Sequence, residues 1–227
     1  EPHRQLNSYK YPEEGVLAEY HQYGAAIWPR YLTEYEVDWR LIRDTWVVGG
    51  PDDDPLEITR ELLDVDMDEV FADFAAHNAV WDYEHGTQME QYLDMISDSY
   101  GFGEQDRRLV DFVSSSGTSD EWQVPPRELL PERFGYNVIE MLNPNDGIMV
   151  VRFDGDLLGS SGSEAKWGIR VVRERGRTVE YEELVVLGDG TGQLTVRDVG
   201  GEDAIYLVVS ATSPGWVTGE VFGYQYQ

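Results

Sequence analysis

Ser114-Ser115-Ser116-Gly117-Thr118-Ser119-Asp120 separates two kinds of sequence. Small polar residues and glycine at that density favour a loop, so the run reads as a linker over 114–121. On its N-terminal side apolar residues recur at helical spacing. On its C-terminal side short runs alternate apolar and polar residues, the period of a half-buried strand, with Gly, Asp, Asn and Pro between them. The predicted fold class is α+β in two units. A helical subdomain occupies 1–121, and an antiparallel β-sandwich, jelly-roll-like, occupies 122–227.

In the helical part, Leu17, Tyr20, Tyr23, Ile27, Tyr31 and Tyr35 mark one face, which Pro29 is expected to kink or divide. Asp38 is the predicted cap of a short helix that turns Leu41, Ile42 and Trp46 inward. Asp54 precedes Pro55 and stands three before Glu57, and Asp66 stands three before Glu69. Both patterns are helix starts with a capping box. The second helix carries Val70, Phe74, Asn78 and Trp81 on a stripe and is expected to stop at Gly86. A third start at Thr87 and Glu90 predicts helix to about Ser97, with the helical part running to about residue 113.

Seven strands are predicted after the linker: Tyr136–Leu142, Ile148–Phe153, Lys166–Arg173, Val179–Leu187, Gln193–Val199, Ala204–Ala211 and Val217–Tyr226. Trp167, Ile169 and Val171 share one face of their strand. Ile205, Leu207 and Val209 share one face of theirs, with Tyr206 and Val208 on the other.

Charge narrows the partners. The net charge is −27, and residues 1–121 hold 28 acidic against 8 basic residues, while 122–227 hold 16 against 9. A phosphate backbone or an anionic membrane surface would be repelled. Such a surface suits high salt, where carboxylates hold water and self-repulsion is screened, or it offers an acidic face to cations or a basic partner. The absence of cysteine excludes a thiol nucleophile, a thiolate metal site and a disulfide framework. No apolar run approaches the ~18 residues of a membrane span. The start at Glu1, without Met, reads as a processed end or an internal boundary.

No catalytic motif stands out. There is no His-Glu-x-x-His, no Gly-x-Ser-x-Gly and no phosphate-binding glycine loop. Asp73 and His77 stand four apart on one helix face and could share a metal, although a helix-surface ion pair or a packed histidine has the same spacing. His85, beside Glu84, reads as a helix-end residue, and His21 as a hydrogen-bonding residue between the two units. Asp154 and Asp156, in Asp154-Gly155-Asp156, and the turn Asn145-Asp146-Gly147 offer oxygen ligands that could bind calcium or simply turn the chain. Trp122, Trp167, Trp216, Tyr224 and Tyr226 could form a carbohydrate platform or a core.

Several stretches carry a family resemblance. They are Tyr23-Gly24, Ile27-Trp28-Pro29-Arg30-Tyr31-Leu32, Ile42-Arg43-Asp44-Thr45-Trp46 and the helix from Phe71 to Tyr83, closed by Gly86. In the second half they are Trp122-Gln123-Val124-Pro125, Gly135-Tyr136-Asn137-Val138-Ile139, Val151-Arg152-Phe153-Asp154-Gly155 and Trp167-Gly168-Ile169. Their order resembles the C-terminal portion of secreted bacterial zinc metallopeptidase-like proteins of the myxobacterial type. There a zincin core is followed by helices and a β-sandwich. Asp82, where that family usually has Asn, and Glu84-His85 before the glycine depart from the pattern.

The resemblance implies a zinc-binding His-Glu-x-x-His helix upstream of this chain, so zinc is expected only there and no catalytic residue falls within it. It implies an extracellular or cell-surface location. The expected function is a non-catalytic part that supports the core and mediates attachment or assembly, with another protein chain, the missing N-terminal segment, as partner. The alternative is a structural or adhesive subunit that self-associates through the C-terminal strand, Val221 to Gln227. A third reading is an enzyme with an Asp73/His77 metal site or an unrecognised carboxylate site.

Overall fold

The computed structural model describes residues 2, 4–7, 25–36, 39–89, 91, 95, 112–114, 121–141, 147–214 and 219–227. The expectations at Leu17–Tyr23, His21, Asp38, residues 115–120, Asn145-Asp146, Trp216 and most of 90–111 lie outside them.

Four α-helices are described. They are α1 (Ile27–Tyr31), α2 (Arg40–Val48), α3 (Pro55–Leu62) and α4 (Met67–Val80). A π-helical turn, Leu32–Glu36, follows α1 directly. Such turns are rare and concentrate at functional sites. The strands are β1 (Phe112–Ser114), β2 (Gly135–Glu140), β3 (Gly147–Gly155), β4 (Lys166–Arg175), β5 (Thr178–Glu183), β6 (Thr191–Val199), β7 (Ala204–Thr212) and β8 (Tyr224–Tyr226). They form a sheet in the order β1-β2-β7-β4-β5 and a second in the order β6-β3-β8. Every pairing is antiparallel except β1 with β2. The layout is the expected α+β one, helices first and a β-sandwich after. The strand Phe112–Ser114 replaces the end of the expected helical stretch.

Alternation along the strands builds two cores. Ile205, Leu207 and Val209 of β7 meet Val151, Phe153, Ile169, Val171 and Tyr224 between the sheets. Tyr206 and Val208 point the other way, with Val172, Tyr136 and Val138, and there α4 covers them through Val70, Phe71 and Phe74. The central strands β2, β7 and β4 are therefore buried on both faces, and the layers run helices, sheet, sheet. β8 pairs with β3 of its own sheet, and Gln123 bridges to Tyr226.

The helix starts follow their sequence signals. The Asp54 side chain accepts from Leu56 N at 2.9 Å, and that of Asp66 accepts from Asp68 N at 2.9 Å. Glu57 and Glu69 do not close their capping boxes; they reach toward Arg133 and Arg170 instead. The α4 stop differs from expectation. Trp81, with φ 50°, caps the helix in the left-handed conformation, five residues before Gly86. Gly86 is still required, because a Cβ there would run into the Trp81 carbonyl.

Two buried arginines tie the layers together. Arg133 is fully buried. Its Nη1 lies 2.9 Å from Asp54 Oδ2, its Nη2 meets Glu57, and its Nε donates to Ser213 O at 3.1 Å. Arg170 of β4 donates to Asp73 Oδ1 at 2.7 Å and Glu69 Oε2 at 2.6 Å on α4. Lys166, four residues before it on the same face of β4, donates to Asp68 Oδ2 at 2.8 Å, and that carboxylate holds its ammonium above the ordinary lysine range. Among the described residues, no helix is long and apolar enough to cross a membrane.

Candidate functional site

The sequence places Tyr31 and Tyr35 four apart, and the π turn delivers both toward the C-terminal end of α4. Tyr35 stacks on Tyr31, with centroids 5.4 Å apart, and its hydroxyl donates to the Asp82 carbonyl. Glu34 accepts from the Glu84 N–H, and Arg30 Nη2 lies 3.2 Å from Glu34 Oε2. The Arg30 guanidinium also lies over the Tyr83 ring at 5.8 Å. Beneath this rim Tyr83 Oη donates to Asn78 Oδ1 at 2.6 Å, and Asn78 Nδ2 donates to Tyr136 Oη at 3.1 Å. A charged rim is thus fixed to the core by three buried polar groups.

Between that rim and α2 an open cleft of about 710 Å³ is lined by Pro29, Arg30, Thr33, Glu34, Trp39, Ile42, Arg43 and Glu84. Trp39 is 59% exposed, and the Arg43 guanidinium stacks on it at 5.4 Å. Arg43 is also paired with Asp44 at 2.5 Å. Beyond the cleft, Trp46, Val47 and Val48 are 76%, 74% and 58% exposed. Trp46 therefore faces outward, against expectation. At 100° per residue, Leu41 and Thr45 define the buried face of α2, and Trp46 falls well away from it.

The His77 ring and the Asp73 carboxylate do not face a common site. The His77 Nδ1 lies 2.8 Å from the Asp73 carbonyl oxygen, which can only accept, so Nδ1 carries a proton. The ring is stacked on Tyr181 at 4.7 Å and flanked by Tyr35 at 4.2 Å and Tyr31 at 5.3 Å, with Nε2 4.0 Å from Asp82 Oδ2. Asp73 gives its carboxylate to Arg170. Tyr181 Oη donates to Asp82 Oδ2 at 2.7 Å. Burial first, and then the bond to Asp82, push the Tyr181 hydroxyl well above the ordinary tyrosine range.

In the sandwich, Asp154 Oδ2 accepts from Gln225 Nε2 at 2.7 Å, and Asp156 Oδ1 accepts from Leu158 N at 3.0 Å in a local turn. Among the described residues, no three His, Asp or Glu side chains form a group that could hold a metal ion. Trp167 and Tyr224 pack on Phe153 at 5.2 Å and 5.7 Å, so these two aromatics belong to the core. Sequence reasoning missed Trp39, Glu34 and Arg30 as neighbours. The available signal was Trp39 itself, two positions before Leu41 and so about 200° off the buried face of α2.

A family model matches residues 4–221, nearly the whole chain, and is described as a family of unknown function (DUF6055). No curated protein matches the chain.

Proposed function

This chain belongs to the DUF6055 family, and we propose that it is the non-catalytic attachment part of a secreted metallopeptidase-like protein, docked on the rest of that protein through the exposed end of α2. The carrying observation is that the last turn of α2 exposes three consecutive apolar residues. Leu41 and Thr45 are buried, yet Trp46, Val47 and Val48 stand open to solvent. A surface helix ordinarily turns polar residues outward, and adjacent large apolar side chains at one end mark a contact surface.

Two further observations support the reading. The stretches that resemble metallopeptidase-like proteins meet where α4 crosses the sheet, as Phe71, Phe74, Tyr136 and Gly168. The charged side chains in the interior, Arg133 and Arg170, serve as ties between layers. Catalytic chemistry and zinc belong, in this proposal, to a segment upstream.

Co-expression with the segment encoded immediately upstream tests it. The two should co-purify, and Trp46→Glu with Val47→Asp should break the complex while leaving this chain folded. An upstream segment without a zinc-binding helix, or a complex indifferent to those substitutions, overturns the proposal.

A further inference from the structure

The cleft beside the π turn has one aromatic wall and one polar wall. Its volume, about 710 Å³, lies within the range of roughly 300–1,000 Å³ common for small-ligand sites. Trp39 forms the aromatic wall and remains 59% exposed, so a flat apolar surface is left available. Arg30, Thr33, Glu34 and Glu84 form the polar wall.

The two guanidiniums in this cleft are matched within the protein. Arg30 is neutralised by Glu34 at 3.2 Å, and Arg43 by Asp44 at 2.5 Å. The pairs hold the guanidinium and carboxylate edges in place as hydrogen-bonding groups. An anionic ligand would meet Glu34 and Glu84 in a chain of net charge −27, and a cationic one would meet two guanidiniums. A purely apolar ligand would strip water from the carboxylates of Glu34 and Glu84. A neutral ring with a C–H face and hydroxyls on its rim satisfies both walls. We propose that this cleft binds a neutral sugar residue of an oligosaccharide, its C–H face on Trp39 and its hydroxyls toward Arg30, Thr33 and Glu34.

This goes beyond the docking proposal, because it concerns a different ligand and stands whether or not the end of α2 contacts a protein. The test is a titration of the purified chain with neutral oligosaccharides of glucose, xylose, N-acetylglucosamine and arabinose, with polygalacturonate as the anionic control. Binding is followed by calorimetry. Saturable binding of at least one neutral oligosaccharide is expected, with a loss of about tenfold or more in Trp39→Ala and retention in Trp122→Ala, which alters an exposed tryptophan of the sandwich. Thr33→Val is a second, milder cleft variant and should weaken binding in the same direction. Failure of every neutral oligosaccharide to bind, tighter binding of polygalacturonate, or unchanged affinity in Trp39→Ala and Thr33→Val overturns the assignment. The Trp46→Glu and Val47→Asp chain, assayed alongside, separates this outcome from failure of the docking proposal.

Discussion

Ala72 of α4 sits directly on Gly168 of β4: a Cβ added to Gly168 would stand 2.5 Å from the Ala72 Cβ and 2.8 Å from Ser210 Oγ. Real carbon atoms do not approach that closely, so the glycine is what lets the helix lie flat on the sheet. Arg170, two residues on, can then reach Asp73 and Glu69 on the same helix. The distance between helix and sheet, and with it the position of Tyr35, Asn78 and Asp82, depends on this contact.

Gly168→Ala should therefore force the helix outward. Overpacking of this kind costs about 1–3 kcal/mol. Urea denaturation should show that loss, and a variant as stable as the parent would mean that α4 is not pressed on the sheet as described.

Arg133 ties the helices to the sandwich, joining Asp54 and Glu57 at the start of α3 to the Ser213 carbonyl beyond β7. Arg133→Ala takes the cation from Asp54 at a buried site, while Glu57 keeps Arg60. Removing one partner of a buried pair costs about 3–5 kcal/mol. Arg133→Lys keeps the charge but loses the fork that reaches three acceptors, and should recover only part of the loss. Thermal unfolding of the two variants gives the comparison.

Alkaline pH should unfold the chain in a definite window. Burial first, then the Asp82 and Glu34 charges, push the Tyr35 hydroxyl from 10.0 up to about 12. Burial also raises Tyr83, Tyr136, Tyr181 and Tyr224. A tyrosine with a raised folded value is favoured neutral by the fold, so above pH 10.0 the unfolded chain loses protons that the folded chain keeps. Stability is full below pH 10.0 and falls as pH rises toward about 12. Tyrosinate absorbance should rise together with the loss of helical circular dichroism. Free titration of all tyrosines before unfolding would contradict the buried placement.

The sandwich was largely readable in the sequence because its strands bury one or both faces at period two, and β7 shows this most clearly. What covers the outer side of Tyr206 and Val208 was not readable, since the covering residues, Phe71 and Phe74, lie more than a hundred positions away. The caps at Asp54 and Asp66 are local and were legible. Trp46 was misplaced because its hydrophobicity argued for burial while its phase relative to Leu41 argued against it, and phase prevailed. The strand Phe112–Ser114 exists through pairing with β2 and leaves little local trace in three residues. Arg133 and Arg170 escaped notice because their acidic partners are 79 and 97 positions distant for the closest pairs, Asp54 and Asp73. The cleft was invisible for a similar reason: α1, the π turn, α2 and the turn at Glu84 each supply part of it.

The most direct measurement of the central claim is the zinc content and peptidase activity of the purified chain beside those of the whole encoded protein. The chain alone should fold, hold no stoichiometric zinc and leave casein intact, whereas the whole protein is expected to bind zinc through residues outside this chain. Stoichiometric zinc in the isolated chain, together with casein hydrolysis by it, would contradict the account.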